Sequence, residues 1–440
     1  MIPSTIRRAV VAVLGLTLAP LAACAPTSSA HGLKVVATTT QICDYVTQIA
    51  SASSDLSLDK TDASGKQSHV GAAPENAALT MSLTCLLAPN ASAHEHEMTP
   101  SQTTALAQAD VMAVSGVDLE HFLDDAVASS GFHGRMVVTS GVLTASDVDN
   151  PGSSDPETPY TIDRGSKRVE VAPWPFPPEN AGEEPEFRFD PHVWTSPKRA
   201  RVQVENLGAG LAAAAPDAAS SINAATASYL EDLDALDEWA ASAIDTVPEG
   251  QRVLFTSHDA FGYFSADYGI RFIGAALSDF NDQQDATADH IASAVQAVKD
   301  SGAVALFAEN SNNSKSIEAI SRGAGVTPIV GDDALYGDSL GPDGSEGAPG
   351  EGRSASRGGD KGDEEAGCDH DGHGHDARDE RGEGFVAARG AHRAFHEDGI
   401  EDLPGRGCEG HVADEHRERQ TGRDAANASG QLEPVPRVGG

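Results

Sequence analysis

The hydrophobic positions of this chain fall into short runs that alternate with helix-spaced stretches. Residues 33–39 form an apolar run ending in threonines, and residues 41–50 can form a helix. Residues 51–79, rich in Ser, Asp, Ala and Gly, read as a surface insertion. A strand pattern returns at 81–87 and leads into a polar loop through His94. Then come a helix at 101–109, a strand at 111–115, a helix at 119–128 and a strand at 136–139. Buried strands of this length between helices predict a parallel sheet built of βα units.

Residues 143–189 break the rhythm. They are rich in Pro, Gly, Asp and Glu without an apolar period, and read as a long acidic loop or loosely ordered extension. Two helices follow, at about 198–215 and 222–246. The second carries Ile222, Thr226, Tyr229, Leu230, Leu233, Leu236, Ala240 and Ile244 on one stripe. Beyond Pro248-Glu249-Gly250 the βα pattern resumes, with strands at 252–256, 272–276, 304–308 and 327–330 and helices at 261–267, 286–299 and 314–322. The expected fold is α/β: two lobes with parallel β-sheets flanked by helices, at residues 33–218 and 250–349, joined by a long rigid helix within 219–249. In such sheets ligands bind beyond the carboxyl ends of the strands.

Composition narrows the partners. The chain has 440 residues, with 30 Lys plus Arg against 67 Asp plus Glu and a formal charge of -37, a balance that repels nucleic acid and anionic lipid alike. Membrane attachment is instead expected at the N-terminus. Arg7 and Arg8 precede an apolar run at 9–20, and Leu21-Ala22-Ala23-Cys24 places small residues before a cysteine. The run is too short for a spanning helix and suits a signal peptide over 1–23. The stretch resembles the bacterial lipobox, which implies a lipidated Cys24 and a polar tether over 24–32. Of the remaining cysteines, Cys43 and Cys85 read as buried thiols, and an exported protein leaves a Cys43–Cys85 disulfide open as the alternative. The composition changes near Gly347. Residues 350–440 are rich in Gly, Arg, Asp, Glu and His and are expected to be disordered; within them Cys368, His370, His373 and His375 form a flexible polar segment with some capacity for weak metal binding.

Four donors stand where the pattern puts strand ends. His94 follows the 81–87 strand, His192 sits in Phe189-Asp190-Pro191-His192-Val193-Trp194 ahead of a helix, His258 ends the first strand of the second lobe, and Asp338 follows the last strand. Each alone has an ordinary structural role open to it, as a helix cap or a turn former. Together, three imidazoles and a carboxylate make a donor set for a borderline-soft divalent ion. His96 is expected to face solvent or to support the ligands from behind.

The stretches Val35-Val36-Ala37-Thr38-Thr39, Asn90–His94 with Thr99-Pro100-Ser101, Asp190-Pro191-His192-Val193-Trp194, Thr256–Phe264 and Leu335–Gly341 resemble, in this order, the diagnostic segments of zinc and manganese ABC-transporter solute-binding proteins. The resemblance covers about residues 32–347. It implies metal ligands at His94, His192, His258 and Asp338, a bacterial lipoprotein on the extracytoplasmic face of the cell membrane, and delivery of the ion to a permease driven by a separate ATPase. The chain is expected to be a monomer and, by its charge, to bind no nucleic acid.

The sequence departs from the family in places. Ala93-His94-Glu95-His96 replaces the usual Asp-Pro-His at the first ligand, an acidic stretch at 143–189 stands in place of the histidine-rich loop of some zinc members, and the closing strand and helix have no counterpart after Leu340. Histidine at 258 makes the site rich in nitrogen and favours Zn2+ over the alternative, Mn2+, which prefers oxygen donors. A surface adhesin or metal-storage lipoprotein is the alternative role. A zinc hydrolase is disfavoured, since no HExxH motif is present and catalysis needs an open coordination position.

Overall fold

The computed structural model describes residues 32–151, 157–175, 187–276 and 288–342. The first lobe begins with β1 (Leu33–Ala37), α1 (Thr40–Ser51), β2 (Leu56–Thr61), β3 (Gln67–Gly71) and β4 (Leu79–Cys85). It continues with α2 (Pro100–Ala107), β5 (Val111–Val114), α3 (Leu123–Ser130), β6 (Arg135–Val138), α4 (Ala145–Asp149) and β7 (Thr161–Asp163). These strands form a seven-stranded sheet in the order β3-β2-β4-β1-β5-β6-β7, parallel throughout except for the antiparallel β2–β3 pair.

Two long helices, α5 (Pro197–Ala214) and α6 (Ala219–Asp245), lead to the second lobe. That lobe holds β8 (Val253–Thr256), α7 (Gly262–Asp267), β9 (Arg271–Ala275), α8 (Ala288–Ser301), β10 (Ala305–Phe307), α9 (Lys315–Ala324) and β11 (Thr327–Ile329). Its sheet has the order β11-β10-β8-β9, all parallel. In both sheets the strand order reverses about a central strand, β1 in the first and β8 in the second. Crevices for ligands open at the carboxyl ends of such strands.

The apolar stripe of α6 explains how one helix serves both lobes. Ile222, Ala225, Tyr229 and Leu233 enter the core of the first lobe, against Ile42, Tyr45 and Ile49 of α1 and Val204, Leu207 and Leu211 of α5. Two turns further on, Ala240 and Ile244 enter the core of the second, against Phe261, Phe264 and Tyr268. Each fully buried aliphatic side chain contributes roughly 2 kcal/mol of transfer free energy. The helix has 27 residues and so runs about 40 Å, with both ends held in apolar cores. Among the described residues no helix is long and apolar enough to cross a membrane.

Three sequence expectations change. Residues 51–79 are not a surface insertion throughout: the β2–β3 hairpin extends the sheet, with Leu56 and Leu58 fully buried at alternate positions among polar neighbours. The 143–189 stretch is not wholly a loop, because it supplies α4 and the edge strand β7, and Val169 and Phe187 are buried. Cys43 and Cys85 are joined in a disulfide rather than held as thiols. The bridge closes a loop of 42 residues, and a constraint of that length on the unfolded chain stabilises the fold by about 4 kcal/mol on the chain-entropy account. The expected signal peptide, Cys24, the 350–440 tail and its Cys368, His370, His373 and His375 lie outside the described residues.

Candidate metal centre

Local sequence sets each predicted donor in place. The loop carrying His94 runs from β4 to a capping box at α2, where the Thr99 hydroxyl accepts from the Gln102 amide and the Gln102 side chain accepts from the Thr99 amide. Pro100 at the first helical position fits this start, and Gln102 Nε2 also donates to the Leu86 carbonyl at 2.7 Å, pinning the near end of the loop. His192 lies in the turn before α5. The Asp190 carboxylate accepts from the His192 backbone amide at 3.0 Å and bonds its Nδ1 at 2.8 Å, which turns Nε2 towards the lobe junction. His258 follows β8 directly. Its backbone amide donates to Glu309 Oε1 at 3.2 Å, and its Nδ1 shares a longer contact of 3.4 Å with Glu309 Oε2.

Asp338 is held by the opposite lobe. Ser92 donates to Asp338 Oδ2 at 2.8 Å, and Gln41 of α1 donates to the Asp338 carbonyl at 3.1 Å. Around it, the Trp194 indole donates to the Gly337 carbonyl at 2.8 Å and the Leu340 amide to the Thr40 hydroxyl at 2.9 Å. Gly337 leaves room for a supporting carboxylate, since a Cβ there would fall 2.0 Å from Glu309 Oε2 and displace it. The same holds at Gly262, where a Cβ would stand 2.6 Å from Asp190 Oδ2.

The four predicted donors meet. One donor atom from each of His94, His192, His258 and Asp338 lies within 4.8 Å of the others, and all four residues are buried. His94 Nε2 is 3.1 Å from His192 Nε2. Asp338 Oδ1 lies 3.7 Å from each of those nitrogens and 3.5 Å from His258 Nδ1. Donors bound at 2.0–2.2 Å in a tetrahedron stand about 3.3–3.6 Å apart, close to these pairs, and any pair as wide as the 4.8 Å limit has to draw in by about 1 Å around a single four-coordinate ion. Asp338 Oδ1 is itself buried and accepts no hydrogen bond, which leaves a carboxylate oxygen aimed at the middle of the imidazoles.

The electrostatics are divided. Burial pushes His94 down to about 3, although Asp338 works in the opposite direction. Burial also opposes a charge on His258, but Asp338, Glu309 and Asp259 overcome it and raise this imidazole well above its ordinary value. For Asp338 burial favours the neutral acid, yet His258, His94 and His192 hold the carboxyl far below the usual range. Burial raises Glu309, and it pushes Asp259 up to about 7.

Sequence reasoning missed the supporting carboxylates. Asp190 was visible inside its motif without a role, and Glu309 sits two residues past β10, at a carboxyl end where the same search rule applies. His96 is half-buried, with its ring edge-on to Phe122 at 4.9 Å.

Two parallel-sheet lobes sharing one long helix, with donors from both meeting at the strand ends, define the solute-binding proteins that serve metal ABC importers. The chain belongs to the family described as the periplasmic component A of the zinc-uptake complex, which it matches over residues 35–351. The manganese-binding lipoprotein MntA of Halalkalibacterium halodurans is 30% identical over 252 residues, 57% of this chain and 70% of the relative. The zinc-binding protein AdcA of Streptococcus pyogenes serotype M6 is 34% identical over 142 residues, 32% of this chain and 27% of that protein. Among solved structures, the periplasmic zinc-binding protein TroA from Treponema pallidum shares the fold, with a TM-score of 0.52 at 22% identity, covering 72% of this chain and 94% of that one.

Proposed function

We propose that the protein is the extracytoplasmic substrate-binding component of a zinc ABC importer. It captures one ion between its lobes through His94, His192, His258 and Asp338 and passes it to a membrane permease with a separate ATPase. The observation that carries this reading is the convergence of four buried donor side chains drawn from both lobes. Three nitrogens and one oxygen suit zinc better than manganese, the alternative cargo. Four protein ligands leave no position for an activated water, so the site is built for holding rather than for hydrolysis. The lipobox at Cys24 supports a lipid anchor on the outer face of the cell membrane, and the chain acts as a monomer.

Metal titration of the purified chain tests the proposal. The expected result is one zinc ion per chain, with zinc displacing manganese at equal concentration. Absence of binding, or preferential retention of manganese under those conditions, contradicts the zinc reading.

A further inference from the structure

Two aromatic side chains from the acidic stretch pack against the donor cluster, and we infer that Phe187 and Trp174 keep water off the bound ion, thereby enforcing four-coordination and slowing release. This inference rests on the function proposed above. The side chains of Asp338 and His192 are 0% exposed, that of His258 1% and that of His94 2%, which leaves His94 as the most accessible ligand. The Phe187 ring packs on that imidazole with centroids 5.5 Å apart, and is itself buried. Its other neighbours are His121, stacked at 5.2 Å, and Trp174 at 5.8 Å. Trp174 in turn lies 5.9 Å from the His192 ring. The pair thus sits against two of the four donors.

The backbone under these rings is fixed to both lobes. Pro173 and Phe189 form an antiparallel bridge, the Trp174 amide donates to the Arg188 carbonyl at 3.1 Å, and the Asp190 amide donates to the Ala172 carbonyl at 2.9 Å. Tyr263, from α7 of the second lobe, closes the arrangement. Its hydroxyl donates to the Asp190 carbonyl at 2.7 Å and accepts from the Ala172 amide at 3.0 Å.

The chemical consequence concerns coordination number. An ion content with four protein donors loses nothing under an apolar cover. One that prefers six ligands, as manganese does, needs added waters that Phe187 and Trp174 exclude. The cover therefore adds selectivity that the donor identities alone do not supply, and an exchanging ligand has to displace an aromatic ring before reaching the ion.

Cobalt(II) loading reads the coordination number directly, because four-coordinate cobalt has intense visible bands and six-coordinate cobalt weak ones. In Phe187→Ala the visible intensity is expected to fall several-fold. Zinc loss to a chelator should speed up about tenfold and the zinc-over-manganese affinity ratio should drop by about tenfold, each a modest change in free energy. Phe187→Leu, which keeps an apolar cover, should stay close to wild type. Trp174→Ala removes a half-buried ring and gives the same readouts if Phe187→Ala does not fold, as judged by thermal unfolding. Unchanged cobalt bands and unchanged zinc loss in a folded alanine variant overturn the inference. A wild-type chain that takes up no zinc refutes the function proposed above instead, which separates the two failures.

Discussion

Replacing His192 with alanine is expected to weaken one-to-one zinc binding by about two to three orders of magnitude. The imidazole is fully buried, its Nε2 faces His94 Nε2 and Asp338 Oδ1, and Asp190 fixes its orientation from behind. Structural zinc sites bind with about 10–16 kcal/mol, so one ligand of four is worth roughly 3–4 kcal/mol, or about 200–1,000-fold in affinity. Asp190→Asn leaves all four donors in place and should act more mildly, with a loss of about 10–100-fold, as expected for a group that orients a ligand. Isothermal titration of the two variants checks the ranking. Zinc binding that is unchanged in His192→Ala would transfer the site to His370, His373 and His375 and refute the cleft assignment.

The second large effect is on pH. In the metal-free protein His258 is raised well above its ordinary value against Asp338, Glu309 and Asp259, so it carries a proton at pH 7. A metal ion must displace that proton, and about one proton per ion should leave from this residue. Affinity therefore rises with pH, by about tenfold per unit while His258 remains protonated, and levels off above its raised value. His94, held down at about 3, is already neutral across this range and adds no competition. Zinc titration at pH 7 in buffers of different ionisation enthalpy measures the released proton. No proton release would show that His258 is neutral in the metal-free site.

Two of the strands that could be read from sequence are buried on both faces, and such burial writes itself as an unbroken apolar run. All four residues of β5, Val111–Val114, are buried, and so are all four of β8. The β2–β3 hairpin escaped because Leu56 and Leu58 alternate with polar residues at the sheet edge, a weak pattern inside a Ser- and Asp-rich stretch. Strand β7 has three residues and none fully buried, too little for any period to show.

The donors were legible for a related reason. His94 and His258 lie just past predicted strands, where parallel sheets place their ligands, and His192 is framed by Asp190-Pro191 and a helix start. What surrounds them was not legible, because it depends on contacts between segments distant in the chain. Glu309 reaches His258 across 51 positions, and Ser92 reaches Asp338 across 246. The seating of Phe187 on His94 is of the same kind. Nothing local to these residues announces a partner.

One ion is expected to be held by four named side chains. Crystals of the zinc-loaded protein, measured at the zinc absorption edge, test this most directly. The predicted result is a single strong anomalous peak about 2.0–2.2 Å from a donor atom of each of His94, His192, His258 and Asp338. A peak elsewhere, or one at the cleft lacking any of these four, would contradict it.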